Sequence, residues 1–186
     1  MILVIDTSSP SVTTVAMLDG ESRRELTMPR LDRELLKEIV RSQPVSKVAV
    51  ASGPGSFTGL RVGVSFGLGL AMGLGIPIVP LPSLDLQAAR LDAPATAIVE
   101  AGRGRYYFKL PADEARLGHP AVIPATYPLV GNVTDRRTLL AAGHRFVPDT
   151  ELRSVAEASE ILLGTAREVP YRNLEIEYMQ SFTPRK

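Results

Sequence analysis

Ser52-Gly53-Pro54-Gly55-Ser56-Phe57-Thr58-Gly59-Leu60-Arg61-Val62-Gly63 joins an apolar run, Lys47-Val48-Ala49-Val50-Ala51, to a long apolar segment that reaches Leu74 and stops at Gly75. Strand, glycine-rich turn and helix in that order are the repeating unit of an α/β protein. Free N–H groups at such a turn and the dipole of the helix behind it favour an anion. The turn is nevertheless not a Walker A loop, because Leu60-Arg61 follows Gly59 where a lysine would stand, and its spacing does not match the dinucleotide fingerprint.

Within the helix, Gly55, Gly59, Gly63 and Gly67 recur at every fourth residue, and Ala71 and Gly75 continue the row. An interior glycine costs about 1 kcal/mol relative to alanine, so a row of them implies a close backbone approach on that face. The approach is either to the helix's own sheet or to another helix, including one from a second chain. The uncharged run over residues 62–84 is long enough to span a bilayer, but Pro77, Pro80 and Pro82 would break its last third. A core helix followed by a buried strand is the expectation. Gly63-Val64-Ser65-Phe66-Gly67 has the letters of a nucleophile elbow. That motif needs its serine on a sharp strand-to-helix turn, whereas Ser65 lies well inside the helix.

Outward from this centre, Ile2-Leu3-Val4-Ile5 reads as a buried first strand ending in Asp6-Thr7-Ser8-Ser9, followed by a β-branched strand over 12–18 and a polar edge strand over 21–28. Leu31, Leu35, Leu36, Ile39 and Val40 then recur at helical spacing until Pro44. A strand over 76–79 and a short helix to Ala89, capped by the Ser83 hydroxyl, complete a first lobe, residues 1–95, of order βββαβαβα. A smaller, proline-broken lobe over 96–186 opens with strands at 96–99 and 106–110 and carries helices over 136–142 and 155–167. Its C-terminal segment has weak periodicity and is expected to pack back on the first lobe.

The chain has 186 residues, 45% of them hydrophobic and 22% charged, enough for a real core. Twenty-one Lys and Arg against twenty Asp and Glu leave a net charge of +1, which gives no bulk attraction for nucleic acid or an anionic membrane. With no cysteine there is no disulfide, thiolate metal site or cysteine nucleophile. His119 and His144 lack ligand spacing and read as two solvated histidines. No signal-peptide pattern opens the chain, so a cytoplasmic location is expected. Glu100 with Arg103, Arg105, Tyr106, Tyr107 and Phe108 reads as a hairpin with a charged turn rather than an RNA contact.

The segment from Ser52 to Gly63, together with Ile5-Asp6-Thr7-Ser8, Leu81-Pro82-Ser83-Leu84-Asp85 and Glu100-Ala101-Gly102-Arg103-Gly104-Arg105-Tyr106-Tyr107, resembles the bacterial TsaB (YeaZ) family of tRNA threonylcarbamoyladenosine biosynthesis proteins. The resemblance is strong over residues 1–110 and faint beyond them. It implies an actin/Hsp70-like (ASKHA, ribonuclease H-like) α/β fold of two lobes. The function it implies is that of a non-catalytic partner of the paralogue TsaD, with the ATPase TsaE, in forming threonylcarbamoyladenosine at position 37 of tRNAs that read ANN codons. It further implies a homodimer when alone, tRNA contact only through the complex, no membrane, and no cofactor beyond weak ATP or ADP binding. TsaD carries a metal on two histidines of its first helix, and Arg30-Leu31-Asp32-Arg33-Glu34-Leu35-Leu36 contains none.

Residual phosphate contact is assigned to Asp6, Thr7, Ser8, Gly53 and Gly55. The partner face is assigned to Leu35, Leu36 and Ile39 with Gly59, Val62, Gly63, Phe66, Gly67 and Leu70, and a bulky residue at Gly63 is expected to impair pairing while sparing the monomer. Asp32 stands where many relatives carry a lone histidine, and Glu100 and Gly102 replace the usual Asp and Arg of the hairpin. The alternative function is a nucleotide-binding ATPase or kinase-like phosphotransferase of the same fold, using Asp6 and the loop from Gly53 to Gly55.

Overall fold

The computed structural model describes residues 1–179, and two sheets organise them. β1 (Ile2–Asp6), β2 (Thr13–Asp19) and β3 (Ser22–Met28) form an antiparallel meander, followed by α1 (Arg33–Ser42). β4 (Lys47–Gly53) lies parallel to β1, α2 (Phe57–Leu74) runs back, and β5 (Ile78–Pro82) lies parallel to β4. The strand order is β3-β2-β1-β4-β5.

After α3 (Ser83–Ala88) the plan restarts: β6 (Thr96–Gly102) pairs antiparallel with β7 (Arg105–Lys109), and β7 with β8 (Arg116–Gly118). β9 (Leu129–Val130) lies parallel to β6. The order β8-β7-β6-β9 thus repeats β3-β2-β1-β4 in both sequence and direction. α4 (Arg137–Ala141) and α5 (Val155–Leu163) complete the regular elements.

The continuous apolar runs of β1 and β4 follow from burial on both faces. Leu3, Ile5, Val48 and Val50 pack with Leu36 of α1 and with Val64 and Ala71 of α2. Val4 and Ala49 point the other way, onto Val79, Leu81 and Ala156 of α5. The second sheet divides likewise, with Ile98, Tyr106 and Phe108 against Leu139 of α4, and Ala97, Val99 and Tyr107 against Leu84 of α3. β3 is the outer strand and is exposed over Ser22 to Thr27, the polar pattern that keeps an edge from pairing with other chains.

Capping fixes the helix starts. Asp32 accepts from the N–H groups of Glu34 (3.0 Å) and Leu35 (3.1 Å), and Ser56 accepts from Gly59 at 3.2 Å. α2 ends on Gly75 at φ 65°, a left-handed cap suited to glycine.

Several details depart from the sequence reading. Ser83 does not cap α3; its hydroxyl accepts from the Gly53 N–H at 3.1 Å and so ties the two loops together. α5 ends at Leu163 rather than at 167, because Gly164 follows it. His144 is buried at 5% exposure, with Nε2 2.9 Å from the Pro120 carbonyl oxygen, while His119 is exposed as expected. β8 and β9, at three and two residues, carry too little pattern to be read.

α2 is apolar and long enough to cross a membrane, but it lies on the sheet through Leu60, Gly63, Val64, Gly67 and Ala71. At Gly67 an added Cβ would run into the Val50 side chain and come within 3.3 Å of Val48. Overpacking of this kind costs about 1–3 kcal/mol, and in a chain of this size each kcal/mol shifts Tm by roughly 2–4 °C. Gly67→Leu is therefore expected to lower the melting temperature measured by circular dichroism. An unchanged melt would mean that this face of α2 is not packed as described.

Candidate functional site

Asp6 ends β1 and is 3% exposed, and its Oδ1 accepts from the Ser8 N–H at 2.9 Å. Burial pushes its carboxyl above the ordinary carboxylate value, against the opposing pull of the Ser8 hydrogen bonds and of Arg90. Arg90 is itself held below its ordinary value by burial, although Glu25, Asp149 and Asp6 act against this. Its guanidinium donates to Arg153 O (3.0 Å), Gln87 Oε1 (3.2 Å) and Asn132 Oδ1 (3.1 Å). One arginine thus joins α3, the turn before α5 and the segment after β9.

Beside it lies a cleft of about 410 Å³, lined by Ser9, Ser11, Arg90, Asn132, Thr134 and Arg136 among others. Ser11 and Thr134 share a hydroxyl–hydroxyl contact across it, and Arg136 pairs with Asp149 at 2.9 Å. Among the described residues no group of three or more His, Asp or Glu side chains is placed to hold a metal ion.

The loops assigned to phosphate do meet, and they close on each other. The Ser56 N–H donates to Ser8 O at 2.7 Å. A Cβ on Gly55 would lie 2.6 Å from Ser8 O, and one on Gly59 would strike Thr7 O. On the other side, a Cβ on Gly53 (φ 111°) would lie 2.7 Å from Glu177 O, whose N–H partner donates to Ser52 O at 2.8 Å. The space a phosphate would need against Gly53 and Gly55 is therefore occupied by carbonyl oxygens, the wrong charge for an anion. These five residues do not form an open nucleotide cradle.

Glu177 belongs to a strap over residues 169–179 that lies against the first sheet and α2. Val169 bridges to Ile78, and the Tyr171 hydroxyl is shared between Ile76 O (2.8 Å) and Ala71 O (3.2 Å) at the end of α2. Leu174 and Ile176 pack on the core beneath α2. Tyr178 meets Phe57 at 5.5 Å between ring centroids and accepts from Arg61 Nε at 3.1 Å. The segment expected to pack back on the first lobe continues through residues 180–186, which lie outside the described residues.

The partner face needs correction. Gly59, Gly63 and Gly67 face inward: at Gly63 a Cβ would strike the Thr7 side chain, and at Gly67 that of Val50. Leu36 is fully buried. A bulky residue at Gly63 therefore strikes the monomer's own core, contrary to the expectation that it would spare the monomer. Val62 stays outward at 39% exposure, with Leu35, Ile39, Phe66 and Leu70 half-buried at the flanks. A second row of small residues, Ser65, Gly69 and Gly73, is exposed, and among the described residues a Cβ on either glycine would meet nothing within 4 Å. Met72 (57%) and Leu74 (45%) extend this face. The sequence signal for it was the second glycine spacing in α2, overshadowed by the longer first row.

Two sheets of repeated ββ-meander-plus-parallel-strand topology define the two-lobed ASKHA class expected from the sequence. Residues 22–132 match the family described as TsaD: tRNA N6-adenosine threonylcarbamoyltransferase, and the chain belongs to that family. An uncharacterized protein of Mycobacterium tuberculosis is 28% identical over 134 residues, 65% of this chain and 64% of that protein. The chain thus spans just under two thirds of the curated relatives of this kind. The tRNA threonylcarbamoyladenosine biosynthesis protein TsaB of Bacillus subtilis is 44% identical over 68 residues, 35% of this chain and 30% of that protein.

YeaZ from Pseudomonas aeruginosa superposes with a TM-score of 0.71 at 18% identity, covering 96% of this chain and 99% of that one. A second structure, of a protein described as similar to peptidase YeaZ from the same organism, gives 0.74 at 19%, with the same coverage. The resemblance to the TsaB (YeaZ) family holds in both sequence and fold.

Two outcomes follow from the geometry. Because the folded state raises the Asp6 pKa above 3.8, the folded chain holds a proton that the unfolded chain releases, so this group destabilises the fold above that range and the penalty fades as pH falls through the raised value. Asp6→Asn keeps an oxygen for the Ser8 N–H and is expected to raise Tm at pH 7, with the gain shrinking toward acid. A pH-independent difference would refute the burial argument. Gly53→Ala should expel the strap, seen as faster hydrogen exchange at the Glu177 amide with the first sheet still protected.

Proposed function

We propose that this chain is the non-catalytic partner subunit of a bacterial tRNA threonylcarbamoyladenosine machinery, pairing with the catalytic paralogue TsaD in a complex that includes TsaE. In that complex the product is N6-threonylcarbamoyladenosine at position 37 of tRNAs reading ANN codons, and tRNA is met only through the assembly. Family membership and the similarity to Bacillus subtilis TsaB support the pathway. The observation that carries the partner role is the outward face of α2.

Gly69 and Gly73 each cost the helix about 1 kcal/mol and receive no packing from the described residues in return. A helix from another subunit approaching over Ser65, Gly69 and Gly73, flanked by Val62 and Met72, accounts for them and covers exposed apolar surface. The same face serves a homodimer when the chain is alone. On this reading the protein is cytoplasmic, has no membrane role and needs no cofactor of its own. The ATPase or phosphotransferase alternative finds less support, because carbonyl oxygens fill the loops it would use.

Gly69→Leu separates pairing from folding. A side chain there meets none of the described residues, so the monomer should melt at or above the parent temperature. Light scattering after size exclusion should show the parent exchanging a self-dimer for a one-to-one complex with TsaD, and the variant doing neither. A variant that pairs like the parent would move the partner surface elsewhere.

A further inference from the structure

We infer that the chain recognises a second copy of itself through Arg61, which enters a depression at the far end of α2 in the other copy and pairs there with Glu168. The inference rests on the outward face of α2 being the partner surface, and it adds the orientation of the two copies and the residue that fixes it. Arg61 is the sole charged residue of α2. Its guanidinium lies 3.7 Å from the centre of the Phe57 ring and 5.8 Å from that of Tyr178, and its Nε donates to the Tyr178 hydroxyl at 3.1 Å. Two rings and a hydrogen bond thus hold this exposed arginine in place, with the two terminal nitrogens of its fork unpaired among the described residues.

The receiving end lies on the same flank of the same helix. The strap follows that flank from Tyr171, bonded to Ile76 O and Ala71 O at the C-terminal end of α2, to Tyr178 beside Phe57 and Arg61 at its start. Where the strap begins, Gly75, Pro77, Glu168, Pro170 and Tyr171 help to line a depression of about 500 Å³. Glu168 gives Oε1 to Lys47 at 2.7 Å, and its Oε2 has no partner among the described residues. The last turn of α2 carries no basic residue to answer the negative end of the helix dipole. The depression therefore joins a half-used carboxylate to a helix C-terminus, while the chain's own Arg61 stands about 21 Å away along the axis.

A two-fold axis lying across the outward face, perpendicular to α2, runs the two helices antiparallel and lays like flank on like flank with the ends exchanged. Gly69 is the midpoint that such a contact needs. Arg61 lies about 12 Å before it along the helix and Gly75 about 9 Å after it. Copies that cross at Gly69, where Ser65, Gly69 and Gly73 leave the backbones free to approach, bring each Arg61 to the depression of the other. The exposed charges of the strap share this polarity. Arg172 follows Tyr171 near the end of α2 and Glu175 lies nearer its start, so antiparallel straps bring unlike charges to the same end. A parallel pair would instead leave Arg61 and the depression at opposite ends.

Sedimentation equilibrium of the full chain, with circular dichroism melts as the check on folding, tests the assignment by charge reversal. Arg61→Glu and Glu168→Lys should each weaken the self-dimer about tenfold, since the two-fold axis counts every lost contact twice. The double variant, which exchanges the two charges, should recover to within about threefold of the parent. Lys47→Gln removes the intrachain pair alone and should leave the dimer unchanged, so a loss seen with Glu168→Lys is not the loss of that pair. Single variants that dimerise like the parent, or a double variant no tighter than the singles, would overturn the inference. Gly69→Leu keeps the two readings apart: if it abolishes the dimer while charge reversal does nothing, the face stands and this anchor falls, and if it dimerises like the parent the face itself falls. A parent that stays monomeric at every concentration while binding TsaD overturns the contact between copies and leaves the partner role standing.

Discussion

The backbone contact between the end of β1 and the start of α2 holds the first lobe together. The Ser56 N–H reaches Ser8 O, and Gly55, Gly59 and Gly63 bring the helix against Ser8, Thr7 O and the Thr7 side chain in turn. Each of these positions excludes a Cβ, so the helix approaches the loop more closely than any alanine-lined helix can. Once that approach is set, Val64 and Ala71 meet Leu3, Ile5 and Val50. The exposed side of α2 is fixed by the same rotation.

That close fit also separates two ideas that the glycine-rich turn merges. A turn of this composition invites an anion, but here the chain's own carbonyl oxygens take the places against Gly53 and Gly55. The helix start is answered by the Ser56 hydroxyl, which accepts from the Gly59 N–H. Buried polarity concentrates instead at Asp6 and Arg90, where burial acts on both groups in the direction of neutrality. Arg90 bonds at once to Gln87 of α3, to the Arg153 carbonyl before α5 and to Asn132 after β9, so it ties these three segments together.

Much of the first lobe was legible in the sequence because its signals are local. The turn before α2 and the stop at Gly75 each depend on one or two residues whose backbone needs are known. The direction of the glycine row was not legible. α2 carries two rows of small residues at the same spacing, one inward through Gly59, Gly63 and Gly67 and one outward through Ser65, Gly69 and Gly73, and a period states no direction. Ser83 misled for a related reason, since a hydroxyl at a helix start has a local partner and a distant one, and the distant Gly53 N–H won. The partners of the strap over 169–179 were not legible, because its contacts, Tyr171 to Ala71 and Glu177 to Ser52, span a hundred residues or more. Short β8 and β9 owe their pairing to β6 and β7 and not to their own pattern.

The strap and α5 also bear on how the chain is made. One face of the first sheet is covered by Ala156 of α5, and the lower edge of α2 by Tyr171, Leu174 and Ile176. A nascent chain that has delivered only the first sheet and α2 therefore presents Val4, Ala49, Val79 and Leu81 bare to solvent until α5, which follows the whole second sheet, has been made. The inner face of the first sheet is thus sealed only after the second sheet has been made, which exposes it to aggregation and to chaperone capture for as long as that second sheet takes to be translated.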